Sequence, residues 1–183
     1  MPPMKGTLLM SLIAIVVVLG YYFGKKYYLK PGIEQGSMAR DFEAEVRDGS
    51  IISLSSFRGK YVLLDFWGSW CGPCRKEHPG LVKLYQKFQE ATYKGATGFE
   101  IISIGIESSE ATWERTIQTD NLFWPHHILE LNMFEGKIPK SYNVRQLPTK
   151  FLVDPEGILI AIDPSMERLE TILKERLLTT ENQ

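Results

Sequence analysis

Two cysteines separated by two residues are the groups in this sequence best suited to chemistry. Cys71 and Cys74 enclose Gly72 and Pro73, and the segment Trp70–Cys74 (WCGPC) follows closely on an apolar run. A thiolate attacks disulfides, and the unpaired N–H groups at a helix N-terminus stabilise the thiolate over the thiol. If a helix begins here, Cys71 is the expected nucleophile and Cys74, one turn further in and more buried, the resolving thiol. The spacing predicts thiol–disulfide exchange.

A structural disulfide and half of a metal site are the alternatives for this pair. A disulfide that closes a two-residue loop removes little entropy from the unfolded chain. A metal site needs further ligands, and the three histidines, His78, His126 and His127, show no recognisable ligand spacing. No resident metal or cofactor is therefore expected, although transient copper or zinc binding by the thiols stays open. We interpret His126 and His127, which follow Trp124-Pro125, as loop residues.

Two acids are placed to act on these thiols. Asp65 lies in the apolar run Tyr61–Phe66 (YVLLDF), where burial raises the proton affinity of a carboxylate. A buried acid beneath the helix start can accept the proton of Cys74, directly or through one water; an edge position facing solvent is the alternative. Glu77 stands one turn after Cys74 on the same helix face, either as an ordinary solvated charge or as a second acid that tunes the thiols.

The elements that must position these residues alternate between strands and helices. A β-hairpin turns at Asp48-Gly49 and precedes two buried apolar strands. The predicted strands are Tyr61–Phe66, Phe99–Ile106, Lys150–Val153 and Ile158–Ile162, and the predicted helices cover 72–91, about 110–119, 134–142 and the stretch Met166–Leu177. The order hairpin, then β-α-β-α-β-β-α, predicts an α/β domain with a mixed central sheet and helices on both faces.

The N-terminal segment is apolar enough to suggest a membrane anchor. The stretch Thr7–Phe23 contains no charged residue, and lysines flank it on both sides. With the adjoining glycines it spans roughly 25–28 Å as a helix, close to the thickness of a bilayer core. A cleaved signal peptide is the alternative, but no small-residue cleavage site follows the run.

Three regions follow from this interpretation. Residues 1–24 are predicted to form one transmembrane helix, residues 25–37 a linker, and residues 38–183 the α/β domain. By the positive-inside rule, the lysines that follow the apolar run mildly oppose export of the domain.

Charge and composition exclude several classes of function. The 183-residue chain has 21 Lys+Arg and 22 Asp+Glu, a formal net charge of −1, so no nucleic-acid partner is expected. Two cysteines exclude a multi-disulfide scaffold and a four-cysteine zinc site. A hydrophobic content of 44% excludes a disordered chain.

At this point the residues resemble a known family. The segment Asp65–Cys74 (DFWGSWCGPC) resembles the active-site segment of thioredoxins, including Pro79 five residues after the second cysteine. The tripeptide Leu147-Pro148-Thr149 is similar to the family's cis-proline loop, which packs beside the cysteines and pairs with the substrate backbone through the residue before proline. The resemblance implies a thioredoxin-like fold.

Further motifs resemble the TlpA/ResA-like branch of membrane-anchored, extracytoplasmic thiol–disulfide oxidoreductases. They are Ala39–Phe42 (ARDF), the hairpin turn, Phe57–Lys60 (FRGK), Arg75–Pro79 (RKEHP), and the long stretch between Cys74 and Pro148, which matches an insertion of that branch. The resemblance covers about Met38 to Leu178. It implies a domain on the periplasmic side of a membrane.

The resemblance also implies roles for single residues and for partners. Cys71 is the attacking thiol, Cys74 the resolving thiol, Glu77 the active-site acid and Pro148 the cis-proline. The residues expected to contact the substrate are Trp70, Gly72, Pro73 and Leu147. The implied partners are disulfide-bearing clients, such as apocytochrome c during cytochrome c maturation, and a membrane electron donor of the DsbD/CcdA kind.

Two other functions on the same fold remain as alternatives. A copper-handling metallochaperone would pass the metal through Cys71 and Cys74. A thiol peroxidase would need a Thr or Ser and a Pro packed before its reactive cysteine, and Ser69-Trp70 lacks that arrangement.

Overall fold

The computed structural model describes residues 4–29 and 32–178. The first three residues of the predicted anchor, two residues of the predicted linker and the last five of the predicted domain lie outside the described residues. Helices α1–α5 are Met4–Tyr28, Gly72–Phe88, Glu110–Thr119, Lys137–Ser141 and Met166–Lys174. Strands β1–β7 are Glu43–Glu45, Ile51–Ser53, Tyr61–Trp67, Phe99–Ile106, His126–Glu130, Thr149–Val153 and Leu159–Ile162.

A five-stranded mixed sheet in the order β5-β4-β3-β6-β7 forms the centre of the fold. Strand β3 runs parallel to β4, and β4 parallel to β5, whereas β6 is antiparallel to both β3 and β7. All seven residues of β3 are buried, as expected for a central strand with both faces covered. The mixed sheet and the separate hairpin β1–β2 are both confirmed.

The sheet separates two layers of core, and β3 contributes alternate side chains to each. Leu63 and Trp67 pack with α2 and α5, whereas Leu64 and Phe66 pack with α4 and the hairpin side. Because side chains alternate along a strand, every odd-numbered residue of β3 points toward the helix that carries the cysteines. The prediction of helices on both faces is confirmed.

The interpretation of His126 and His127 as loop residues is wrong. They are the first two residues of β5, an edge strand that pairs in parallel with β4, with His126 opposite Ile102. The strand HHILE begins with two imidazoles after a proline and has no apolar alternation of its own. Its conformation therefore depends on the edge that β4 offers rather than on a local pattern.

The segment before the domain is partly packed on it. Helix α1 includes residues 25–28, and Ile33 is buried in the core. Gly36 N–H donates to the carbonyl of Leu159 at 2.8 Å, so residues of the predicted linker pair with the start of β7.

Helix α1 exposes its apolar side chains throughout the part where they are described, including Leu12, Val16 and Phe23. At its end, the Arg145 guanidinium lies 4.1 Å from the ring centroid of Tyr28. Among residues 4–29 and 32–178, no helix meets the length and hydrophobicity required to traverse a bilayer. The predicted transmembrane helix is not confirmed.

Replacing Leu63 tests how strongly this core holds the sheet to α2. Leu63 has no exposed surface, so Leu63→Ala leaves a cavity and should lower the free energy of unfolding by about 2–5 kcal/mol. Denaturant unfolding of the two proteins measures the difference. Leu131→Ala is the matched control, because Leu131 is exposed and its loss should cost no more than about 0.5 kcal/mol. Equal losses for both variants would contradict this description of the core.

Candidate active site

The two cysteines form a disulfide at the N-terminus of α2. Cys71 is the N-cap residue, and its Sγ accepts a hydrogen bond from the backbone N–H of Cys74 at 3.2 Å. That N–H is one of the donors that a helix start leaves unpaired, so it would also stabilise a thiolate on Cys71. Cys71 is 5% exposed and Cys74 2%, which agrees with the expectation that the second cysteine is the more buried.

The residues around the disulfide present an exposed surface. Gly72 and Pro73 form the exposed first turn of α2, and the indole of Trp70 is also exposed. Trp70 Nε1 donates to the carbonyl of Ile106 at 2.8 Å, which holds the ring over the end of β4. A Cβ at Gly68 would lie 2.8 Å from Trp70 Nε1 and 3.0 Å from the Ile106 carbonyl oxygen, so this approach requires glycine.

Glu107, which was not among the predicted site residues, fixes the loop that leads to the cysteines. Its buried carboxylate accepts hydrogen bonds from the Ser69 backbone N–H and from Ser69 Oγ, the latter at 2.9 Å. Burial raises the pKa of the Glu107 carboxyl, and the two hydrogen bonds from Ser69 oppose that shift. The available signal was an acid directly after a buried strand, at the sheet edge where β3 also ends.

The predicted cis-proline loop lies beside the same edge. The Leu147–Pro148 peptide bond is cis. Thr149 follows as the first residue of β6 and pairs with Phe66 of β3. Because β6 is antiparallel to β3, the beginning of β6 lies next to the end of β3, where the loop to Cys71 starts. Leu147 packs against both core layers.

Asp65 is buried in the middle of β3, so the solvent-facing alternative is wrong. As an odd-numbered residue it points toward α2, and Ser103 Oγ on β4 donates to its Oδ2 at 3.4 Å. Burial raises the pKa of the Asp65 carboxyl, while the charges of Lys150 and His78 oppose the rise. This placement suits a group that accepts and later releases a proton.

Glu77 is not an ordinary solvated charge. Its Oε2 lies 2.5 Å from Nζ of Lys150, with side-chain exposures of 37% for Glu77 and 5% for Lys150. Lys150 was not among the predicted site residues, although a lysine inside the apolar strand TKFLV, directly after the predicted cis-proline loop, was a visible signal.

His78 ties the active-site helix to the end of α3. Its Nδ1 lies 2.7 Å from Asp120 Oδ2, and Arg75 Nε and Nη2 donate to the same carboxylate at 3.0 and 2.7 Å. Hydrogen bonding by Arg75, followed by that of His78, lowers the pKa of Asp120. The network joins two residues of α2 near Cys74 to the residue that caps α3.

The other two histidines, His126 and His127, pack against aromatic side chains. His127 stacks on Trp124, its Nε2 lies 3.1 Å from the carbonyl of Leu122, and burial lowers its pKa to about 4. Half-buried His126 lies edge-on to Phe57. Within the described part of the chain, no group of three or more His, Cys, Asp or Glu residues is placed to hold a metal ion.

This chain is similar to known proteins over most of its length. Residues 35–162 match the AhpC/TSA family. A thiol-disulfide oxidoreductase ResA of Bacillus thuringiensis subsp. konkukian is 33% identical over 178 residues, which cover 93% of this chain and 97% of that protein. The corresponding protein of Bacillus subtilis is 31% identical over 82% of this chain and 79% of its own length.

Solved structures lead to the same group. The thioredoxin domain of a thiol-disulfide oxidoreductase from Bacteroides vulgatus superposes with a TM-score of 0.69 at 31% identity, covering 79% of this chain and 98% of that one. A thiol:disulfide interchange protein from Bacteroides sp. superposes with a TM-score of 0.69 at 30% identity, covering 82% of this chain and 94% of that one.

Asp120→Asn should weaken the fold in a pH-dependent way. Because the pKa of Asp120 is lowered in the folded state, its contribution is present above its unfolded pKa of about 4 and lost as the pH falls through the folded value. The variant should lose about 1–2 kcal/mol near pH 7, after allowance for the partly exposed Arg75. Denaturant unfolding at several pH values should show the difference shrinking below about pH 4. Glu43→Gln, on the exposed edge of the hairpin, is the control and should leave the pH dependence unchanged.

Proposed function

This chain belongs to the AhpC/TSA family and is a thiol–disulfide oxidoreductase with a thioredoxin-like fold, and from this premise we propose that it reduces protein disulfides outside the cytoplasm through Cys71 and Cys74. The observation that carries the proposal is the Cys71–Cys74 disulfide at the N-terminus of α2. A two-residue spacing lets this bond close and reopen within one helical turn, as a two-electron carrier requires.

The reaction begins with the reduced pair. The Cys71 thiolate attacks one sulfur of a client disulfide, and the other client sulfur leaves as a thiol after taking up a proton. Cys74 then attacks Cys71 Sγ in the mixed disulfide, and the second client sulfur leaves. The client gains two electrons and two protons, and the Cys71–Cys74 disulfide forms. The Cys71 sulfur sits at the helix end, where the Cys74 N–H stabilises its negative charge.

We assign the proton transfer of the second step, in which Cys74 attacks Cys71, to Asp65. Asp65 takes the proton of the Cys74 thiol, since it is buried on the face toward α2 and burial favours its proton-bound form. Glu77 stands one turn after Cys74, and its carboxylate pairs with Nζ of Lys150.

Client binding is assigned to the exposed surface around the disulfide. The indole of Trp70 and the first turn at Gly72 and Pro73 offer apolar contact area, while Leu147 before the cis-proline offers its backbone to an extended client segment. Apolar contact with backbone pairing accepts many sequences, which suits a reductant of several proteins.

An exported reductant must be reduced again after each turnover, because compartments outside the cytoplasm favour disulfides. We therefore include in the proposal a membrane electron donor of the DsbD/CcdA kind, and apocytochrome c haem-site cysteines as clients. The resemblance to the ResA-like branch supports both.

Location is part of the proposal. The exposed apolar side chains of α1, such as Leu12, Val16 and Phe23, support attachment to a membrane, because lipid would cover them. The periplasmic placement of the domain is supported by the resemblance to the ResA-like branch.

Exchange of the cysteines tests the chemistry. Cys71→Ser should abolish reduction of a protein disulfide by the reduced full chain, because no thiolate remains at the helix start. Cys74→Ser should still attack but stop at the mixed disulfide, which a non-reducing gel or mass spectrometry detects. Turnover near the parent rate in Cys71→Ser would refute the assignment. Expressed in the native membrane, Cys74→Ser also captures the clients and the donor.

Fractionation and labelling test the location. The full chain should sediment with membranes and resist carbonate extraction, and Ile15→Lys with Val18→Lys should release it, because two buried charges are costly in lipid. Ile51→Lys, which charges an exposed apolar residue outside α1, should stay bound. A membrane-impermeant thiol reagent should label reduced Cys71 in intact cells; labelling only after lysis would contradict export.

A further inference from the structure

A buried lysine lies between the two acids of the site. Asp65 on β3 and Lys150 on β6 are direct partners in the antiparallel pair, so their Cβ atoms are about 4.5–5.5 Å apart. Leu63, Trp67 and Leu152 of the same strands pack on the α2 side of the sheet, and alternation places Asp65 and Lys150 on that side as well. Nζ of Lys150 contacts Glu77, one turn after Cys74.

We propose that Lys150 is a positioning residue that keeps Asp65 able to accept the proton of Cys74 near neutral pH. The inference rests on the proposed function and goes further, because it assigns control of the resolving step to a group that touches neither sulfur. Glu77 then serves to pair with Lys150 and hold its side chain in place.

Lys150 reaches a charged partner without leaving the core. Its side chain is only 5% exposed, so the ammonium has lost most of its water. The Glu77 carboxylate lies 2.5 Å from Nζ and offsets that loss, and because Glu77 is 37% exposed it retains hydration of its own. The ion pair therefore places a positive charge on the strand that pairs with Asp65.

The charge of Lys150 opposes the effect of burial on the pKa of Asp65. Burial raises the pKa of the Asp65 carboxyl, the Lys150 charge is the largest opposing influence, and the Glu77 carboxylate adds to the rise. Without Lys150, the remaining influences of burial and of the Glu77 carboxylate would both raise the pKa of Asp65. Asp65 would then hold its proton over a wider pH range. A protonated Asp65 cannot accept a second proton from Cys74.

The resolving step balances with these groups and water. The Cys74 thiol gives its proton to the Asp65 carboxylate, and the Cys74 sulfur forms a bond with Cys71 Sγ. The bond from Cys71 to the client sulfur breaks, and that sulfur takes the electron pair and a proton from water. Asp65 afterwards releases its proton to water, and Lys150 takes no part in the proton transfer.

The groups that act on Asp65 come from three elements packed around it. They are Lys150 on β6, Glu77 and His78 on α2, and Ser103 on β4. Cys74 on α2 belongs to the core cluster on the same side of the sheet, and the Asp163 carboxylate after β7 accepts from the backbone N–H of Lys150 at 2.9 Å. Lys150 is in register with Asp65 and makes a close ion pair on the same face, so its removal changes the charge balance most directly.

The test measures Asp65 itself, in the full chain. In the oxidised protein neither cysteine titrates, so carboxyl ¹³C NMR follows Asp65 free of thiol ionisation. Lys150→Met, similar in length, should raise its titration midpoint by about one to three pH units. The rate of the resolving step, followed in single turnover, should fall at least about tenfold at neutral pH and recover at higher pH.

Three variants separate this role from a structural one. Lys150→Arg keeps the charge and should keep both profiles near those of the parent. Lys60→Met removes another lysine–carboxylate pair, with Glu100 at 2.8 Å, and should move neither profile. In an Asp65→Asn background, Lys150→Met should no longer alter the pH dependence, because the group it acts on is gone.

The role of Lys150 and the proposed function fail under different experimental outcomes. An unchanged Asp65 midpoint in Lys150→Met, with Cys71→Ser inactive, overturns the role of Lys150 and leaves the proposed function standing. If Lys150→Met does not fold, Lys150→Arg decides, because a charge-preserving variant with a shifted midpoint contradicts the proposal. Activity that survives Cys71→Ser overturns the proposed function instead.

Discussion

The site depends first on the burial of β3 on both of its faces. A strand of seven buried residues must lie at the centre of the sheet, and this one carries Asp65 inside and leads directly to the cysteines at its end. Any partner that comes close to Asp65 must therefore be supplied by the neighbouring strands or by the helix above. The polar row Ser103–Asp65–Lys150 across β4, β3 and β6 follows from that constraint.

Lys150 is the cation on which the buried charges at this place depend. It pairs with Glu77 and lies in register with Asp65, and of these three side chains only Glu77 has substantial access to water. Removing Lys150 leaves carboxylates without a cation in a region of low polarity, which costs more than the intact arrangement. The arrangement couples the ionisation of a group under the helix to the surface, without opening the core to solvent.

Local patterns were sufficient for part of the fold. The apolar runs of β3 and β4, the Asp48-Gly49 turn and the start of α2 at Cys71 each have a signal within a few residues. Strand β5 has none, because its conformation depends on pairing with β4. The same holds for the site. The cysteines and Asp65 are visible in one segment, whereas Glu107, Lys150 and Asp120 reach it from positions far along the chain. Register and packing, which a single sequence does not display, decide those contacts.

The glycine at position 68 has a consequence for the exposed surface around the disulfide. Trp70 can lie over the end of β4 only because Gly68 leaves room for its indole. The shape of the exposed surface beside the disulfide is thus set partly by a residue that contributes no side chain to it. A substitution there would press on the indole and on the Ile106 carbonyl, and it would also bear on the loop to the cysteines, because the Gly68 carbonyl accepts from Cys71 N–H at 2.9 Å. A search for the residues that shape this surface would overlook position 68 if it considered exposed side chains alone.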